Sequence, residues 1–287
     1  MILTKKRYIF QGSAVAISAQ ANGLNEEQRT QICFPGSAAL GPSGGCSTSL
    51  IEQYSVNVPG LKLSFENATA SIEGTLRPDL GRVEAKAAVS NVRVHDVIIE
   101  KVQAALIAED PRNHGQIRFK SPLMPEIAGV SIGGAELEIT LDDVFLSIPT
   151  KQALVDEFAH DAGFRECFQD RFYRTGKEFP IPFRHVIPEI NGFIVTSIVK
   201  SIRFKKAVPV GASINGNQVA LPGFGTLYFG ELLIASNQRI LTMVRMELEG
   251  VQETSSDALS FASSADANSS GGVDCGSIDP GKPTIMP

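Results

Sequence analysis

Apolar and polar residues alternate along most of this chain, and one stretch near the middle changes to a helical spacing. Alternation with period two sends successive side chains to opposite faces of a strand, whereas i, i+4 spacing gathers them on one side of a helix. Tyr54, Val56 and Val58 alternate with Ser55 and Asn57 as far as Pro59-Gly60, and Leu61, Leu63 and Phe65 follow against Lys62, Ser64 and Glu66. Arg77-Pro78-Asp79-Leu80-Gly81 is a turn, after which Val83, Ala85 and Ala87 resume the pattern. Val92/Val94, Val97/Ile99 and Val102/Ala104 are three doublets, each shifted by five residues. Such an echo suits a coiled β-solenoid, and equally two strands with a bulge or bend. His95-Asp96 reads as part of this β stretch, its side chains on opposite faces.

Short strands are expected around Ile117/Phe119, Leu137/Ile139/Leu141 and Val144/Leu146/Ile148, with Asp142-Asp143 as a turn. The period then changes. Thr150 can cap a helix carrying Leu154, Val155, Phe158 and Ala162, with Gly163 as its C-terminal cap. Phe164, Cys167, Phe168 and Phe172 form a second apolar stripe before Gly176. Beyond Pro180, Pro182 and Pro188 the alternation is cleanest: Phe193 to Phe204 reads as one strand and Ile214-Asn215-Gly216-Asn217 as a tight hairpin turn. Leu227–Ala235 and Arg239–Leu248 are expected to form a hairpin, with Ile240, Val244, Met246 and Leu248 facing one way and Arg245, Glu247 and Glu249 the other.

Residues 22 to 49, rich in Gly, Ser, Pro and Asn, read as a long surface loop. Residues 9 to 17 read as the first strand. The basic residues Lys5, Lys6 and Arg7 and the small-residue run Ala19-Gln20-Ala21 keep open a weak secretory signal that would be removed with residues 1–21. From Thr254 the composition falls to Ser, Ala, Gly and Asp, which reads as a disordered tail over 254–287. The domain expected is therefore a single β-rich unit over 1–253.

Composition excludes more than it proposes. The total charge is −5. Asp257, Asp266, Asp274 and Asp279 against Lys282 give the tail −3, which leaves −2 for the rest, too little positive charge for a nucleic-acid binder. No apolar run is long enough for a transmembrane helix. The four cysteines include no CxxC pair. Cys33 and Cys46 flank a Pro/Gly/Ser loop and could be bridged in an oxidising compartment; two separate thiols, and a cytoplasmic location, are the reading preferred here.

Candidate chemistry is sparse. Asp156, Glu157, His160 and Asp161 share a helix, and a metal-assisted hydrolase would use Glu157, His160 and Asp161, with His185 or His114 brought in by the fold as a further ligand. Phe158, Phe164, Phe168 and Phe172 could line a cavity for an apolar ligand. No GxSxG elbow, phosphate-cradling glycine loop or Cys/His pair stands out. Lys200, Arg203, Lys205 and Lys206 form the one basic cluster, read as a charged strand end that discourages edge pairing. The expectation is a mainly β fold, an antiparallel β-sandwich-like body with a two-helix insertion near residues 150–175; a β-solenoid is the alternative. The leading function is a non-enzymatic structural or binding protein, a subunit of an assembly or surface layer, with a protein partner or self-assembly and no cofactor. The hydrolase and the apolar-ligand carrier are the alternatives.

Overall fold

A computed structural model describes residues 10–22, 29–32, 36–58, 61–111, 118–120, 124–164, 194–206, 208–234 and 238–249. All lie in one compact unit, Met1–Gln252; a second unit, Glu253–Pro287, holds none of them, so the expected tail falls outside the described residues.

The chain runs β1 (Gln11–Asn22), β2 (Arg29–Ile32), β3 (Ser37–Leu40), β4 (Gly45–Val58), β5 (Leu61–Leu76), β6 (Leu80–Val94), β7 (Val97–Pro111), β8 (Arg118–Lys120), β9 (Glu126–Ile132) and β10 (Ala135–Leu141). Two helices follow, α1 (Asp143–Ser147) and α2 (Lys151–His160), then β11 (Ile194–Ser197), β12 (Val199–Phe204), β13 (Ser213–Asn215), β14 (Gln218–Leu221), β15 (Gly225–Ile234) and β16 (Gln238–Glu249). The fold is mainly β and sandwich-like, as expected. Sheet one has the order β13-β14-β15-β16-β1-β2, with β11 on β15 and β3 on β1. Sheet two has the order β12-β10-β9-β7-β6-β5-β4, with β8 on β7.

Pairing among the described strands is antiparallel except between β1 and β16, which run parallel from Gln11↔Gln238 to Asn22↔Glu249. The expected first strand is present but runs on past Ile17 to Asn22, and Ala14, Ala16, Ile17 and Ala19 are buried in the middle of sheet one. A chain cut after Ala21 would lose that strand. The stretch read as a long loop also contains strands, because β2 and β3 pair successively along the same side of β1 and β4 begins at Gly45. Their small polar residues carry a weak periodic signal, so turn composition outweighed it.

Sheet two is largely a meander of hairpins. Val94 pairs with Val97 across a two-residue turn, with His95 at φ 50°. His95-Asp96 is thus the turn, and its side chains do not lie on opposite faces of a strand. The same pairing replaces the solenoid reading: the five-residue echo is one hairpin followed by a shift of phase.

That shift runs across the whole sheet. Inward-facing residues are three apart instead of two at Ile51/Tyr54 on β4, Phe65/Ala68 on β5, Val89/Val92 on β6, Ile99/Val102 on β7 and Ile127/Val130 on β9. The register aligns the intervening outward residues Gln53, Glu66, Asn91, Glu100 and Gly129 in one transverse row. Gln53, Asn91 and Gly129 sit at φ 56°, 53° and 61°, on alternate strands of that row. Each strand takes the additional residue at the same level, so pairing continues and every apolar side chain stays inside.

Sheet one makes a matching change. Ala16 and Ile17 are both buried, as are Met243 and Val244, and Gly230, opposite Met243, has φ 60°. The two rows meet at Gly36, where an added Cβ would lie 3.0 Å from the Cβ of Ala68 in sheet two and 3.3 Å from that of Ala16 in sheet one. Small residues permit this approach. Ala70, Ala87 and Ala104 stand side by side on β5, β6 and β7, beneath β1, β3 and β16.

One flank of the sandwich is stitched by a strand that changes sheets. The Phe193–Phe204 stretch, read as one strand, is two: β11 pairs with β15 in sheet one, and β12 pairs with β10 in sheet two. At the crossover Ile198 N–H donates to Gly230 O (2.9 Å) and Asp142 N–H donates to Ile198 O (2.9 Å). Buried Ser197 Oγ and Asn217 Nδ2 both donate to Phe229 O, at 2.8 and 3.1 Å. Every residue from Thr196 to Val199 is buried, which explains why both faces of this stretch read as partly apolar.

Asp142-Asp143 is not a simple turn: buried Asp142 caps α1, its Oδ1 accepting from Phe145 N–H at 2.9 Å. Thr150 caps α2 as expected, Oγ1 accepting from Ala153 N–H at 3.0 Å. That helix ends at His160 with Asp161, not Gly163, as its C-cap.

The crossover yields a stability prediction. Gly230→Val would place a Cβ 2.4 Å from Ile198 Cγ1 and hold a β-branched residue at φ 60°. The expected cost is about 2–4 kcal/mol, read as a lowered urea midpoint with an unchanged m-value.

Candidate functional site

The outer face of sheet one carries the tightest polar cluster. Tyr228 pairs with Arg245 across β15 and β16, and the guanidinium carbon lies 3.6 Å from the ring centroid. Arg245 Nε and Nη2 donate to the two oxygens of Glu231 at 2.8 and 2.9 Å, and Nη1 donates to Glu247. Tyr228 Oη donates to Glu247 Oε2 at 3.0 Å. The side chains of Arg245 and Glu231 are only 22% and 12% exposed, so their charges are largely out of water and depend on one another. The sequence reading placed Arg245 and Glu247 on one face of β16 but missed Tyr228 and Glu231; adding the hairpin register would have found them.

Sheet two disposes of its charges more openly. Arg203 Nε and Nη2 donate to Glu138 at 3.0 and 2.8 Å, and Lys205 Nζ lies 3.1 Å from Glu136. Two of the four residues in the basic cluster are thus matched by carboxylates on the neighbouring strand β10. Lys101 pairs with Glu126 at 2.8 Å. Glu84 lies between Arg82 and Lys86, 2.6 Å from each. Burial raises the pKa of Glu84, but hydrogen bonds and charges from Lys86 and Arg82 outweigh it and hold the carboxyl below its ordinary value. In the phase-shift row Asn91 Nδ2 donates to Glu66, and the Glu100 side chain lies over Gly129, where an added Cβ would clash with it.

The residues singled out for metal chemistry stand close together on and just beyond α2, where the His160 and Asp161 side chains make local bonds. His160 Nδ1 lies 2.6 Å from the carbonyl oxygen of Asp156, one turn earlier. Asp161 Oδ1 accepts from Phe164 N–H at 2.9 Å, and the Glu157 carbonyl accepts from Asp161 N–H at 2.9 Å. Among the described residues, no three His, Cys, Asp or Glu side chains are grouped so as to hold a metal ion. Of the phenylalanines proposed to line a cavity, Phe164 is buried; the Phe158 side chain, Phe168 and Phe172 fall outside the described residues. Cys46 is an exposed free thiol on β4, and Cys33 lies outside the described residues.

The remaining candidate is an edge. Among the described residues β4 has one strand neighbour, β5, and its far side ends sheet two. Its 14 residues contain one carboxylate, Glu52, and no lysine, arginine or proline. Leu50, on its outer face, is 61% exposed.

Residues 8–235 match the family described as a domain of unknown function (DUF8256). The chain belongs to this family. The matched segment of the DUF8256 family runs from before β1 through β15 and stops short of β16, the strand that lies between β1 and β15. No curated protein and no solved structure matches the chain.

Two predictions separate these charge clusters. Arg245→Met should cost about 3 kcal/mol by leaving Glu231 without its partner, whereas Arg203→Met on the exposed pair should cost under about 1 kcal/mol; urea unfolding of both variants measures the contrast. Because Glu84 has a lowered folded pKa, its contribution is present above the unfolded value near 4.5 and is lost as pH falls through the folded one. Glu84→Gln should therefore flatten the fall of the urea midpoint below that pH and leave a constant offset at neutral pH.

Proposed function

We propose that this protein is a non-enzymatic structural or binding subunit that acts by docking onto another polypeptide. The observation that carries the reading is β4, a long and almost uncharged strand that ends sheet two among the described residues, whereas β12 at the other end carries Arg203 and Lys205 paired to β10. Strands at the end of a sheet can take up an added strand, and most are guarded against it by lysine, proline or short length, which β4 lacks. Supporting it, the His160 and Asp161 side chains near α2 bond to backbone neighbours, and Arg245 is shared by two carboxylates.

The hydrolase alternative sets the test. Protein purified without chelator should carry far less than one equivalent of zinc or iron by elemental analysis. Stoichiometric metal that is lost in His160→Ala would overturn the structural reading.

A further inference from the structure

We propose that the turn at residues 208–212 docks this protein onto an anionic lipid bilayer, its valines entering the headgroup boundary and the neighbouring lysines resting on the phosphates. This goes beyond the docking at β4. It concerns the opposite flank of sheet two, where the chain leaves β12 and returns to sheet one as β13.

The turn holds an apolar corner out in water. Ala212 N–H donates to Pro209 O at 3.0 Å and Gly211 takes φ 77°, so Val210 and Gly211 are the central residues of a type II turn. A second turn of the same kind stands beside it: Phe224 N–H donates to Leu221 O at 3.2 Å across Pro222 and Gly223, the latter at φ 74°. The two turns touch, since a Cβ added to Gly211 would lie 2.6 Å from Pro222 Cγ. Leu221 is buried and Phe224 packs against the core, so the pair is anchored in the sandwich. Val210 is nonetheless 98% exposed, the most exposed large apolar side chain described, and Val208 is 57% exposed. Pro222 is exposed beside them. A valine fixed in this position gains nothing from folding, and its apolar surface is available to a medium outside the chain.

Two observations select a bilayer over a protein partner. The apolar tip is small. Two valines and a proline fall far short of the roughly 800 Å² that each side of a stable protein interface covers, whereas a bilayer surface takes up a few apolar side chains that have cations beside them. The charges at this end of the sandwich also suit an anionic surface. Backbone bonds run along the rim of sheet two, from Lys205 N–H to Glu136 O, Gly133 N–H to Asp96 O and His95 N–H to Lys62 O. Lys205 is matched by Glu136 at 3.1 Å. Exposed Lys206, Lys62 and Arg93 outnumber Asp96 on the same rim.

Co-sedimentation of the full chain with vesicles of mixed phosphatidylcholine and phosphatidylserine, and of phosphatidylcholine alone, reads the outcome. The wild type should bind the mixed vesicles and bind the neutral ones far more weakly. Val210→Ser should weaken binding to the mixed vesicles about tenfold and Lys206→Gln about fivefold, each with an unchanged urea midpoint. Met124→Ser, at an 85% exposed position at the opposite end of the sandwich, should bind as the wild type does. A wild type that stays in the supernatant overturns the proposal. So does binding that Lys206→Gln weakens and Val210→Ser leaves untouched, for that is charge adsorption without insertion. An equal loss in Met124→Ser overturns it as well. None of these outcomes bears on β4 or on the metal measurement, so this docking can fail while the non-enzymatic reading stands.

Discussion

Both sheets must change the phase of their buried face at the same level, and the rest of the sandwich depends on that agreement. A strand that shifted alone would turn its remaining apolar side chains to water. Here β4, β5, β6, β7 and β9 shift together, and β1, β15 and β16 change opposite them. The cost is concentrated in a few left-handed residues. Glycine takes that conformation cheaply at positions 129 and 230, whereas Gln53 and Asn91 take it with a side chain attached. Asparagine tolerates it better than most residues, and its amide is used at once, in the bond to Glu66.

This geometry explains how much the sequence disclosed. The β class was legible because one face of nearly every strand is buried, and the β15–β16 hairpin was legible because its alternation is long. The doublets at Val92, Val97 and Val102 also carried the phase shift, but a spacing of three inside a strand has no signature apart from a bend. The β2 and β3 strands were hidden because small and polar residues pair along β1 without strong periodicity. The change of sheet at Ile198 was hidden because a strand buried on both faces looks the same whichever sheet it joins.

The candidate site was less legible, for a different reason. Sequence spacing gathers Glu157, His160 and Asp161 at one helix, but it says nothing of the backbone groups that engage His160 and Asp161. Conversely, the Tyr228–Arg245–Glu231–Glu247 cluster spans two strands and emerges only when the hairpin is put in register. The end of a sheet is the hardest feature of all to read, because it is set by the strand order and not by any one segment. What the residues of β4 do disclose is the lack of positive charge and proline along its length.

The parallel pairing of β1 with β16 sets a timetable for synthesis. Partners in that ladder, such as Gln11 and Gln238, are separated by 227 positions, since 238 minus 11 is 227. Most of sheet two is built from sequence neighbours, β4 through β10, and can assemble while translation continues. Within this chain β1 is thus made long before the strand that secures it. Until Glu249 has been made, its apolar residues Ala14, Ala16 and Ile17 lack the neighbour that completes sheet one, which leaves apolar surface exposed during synthesis.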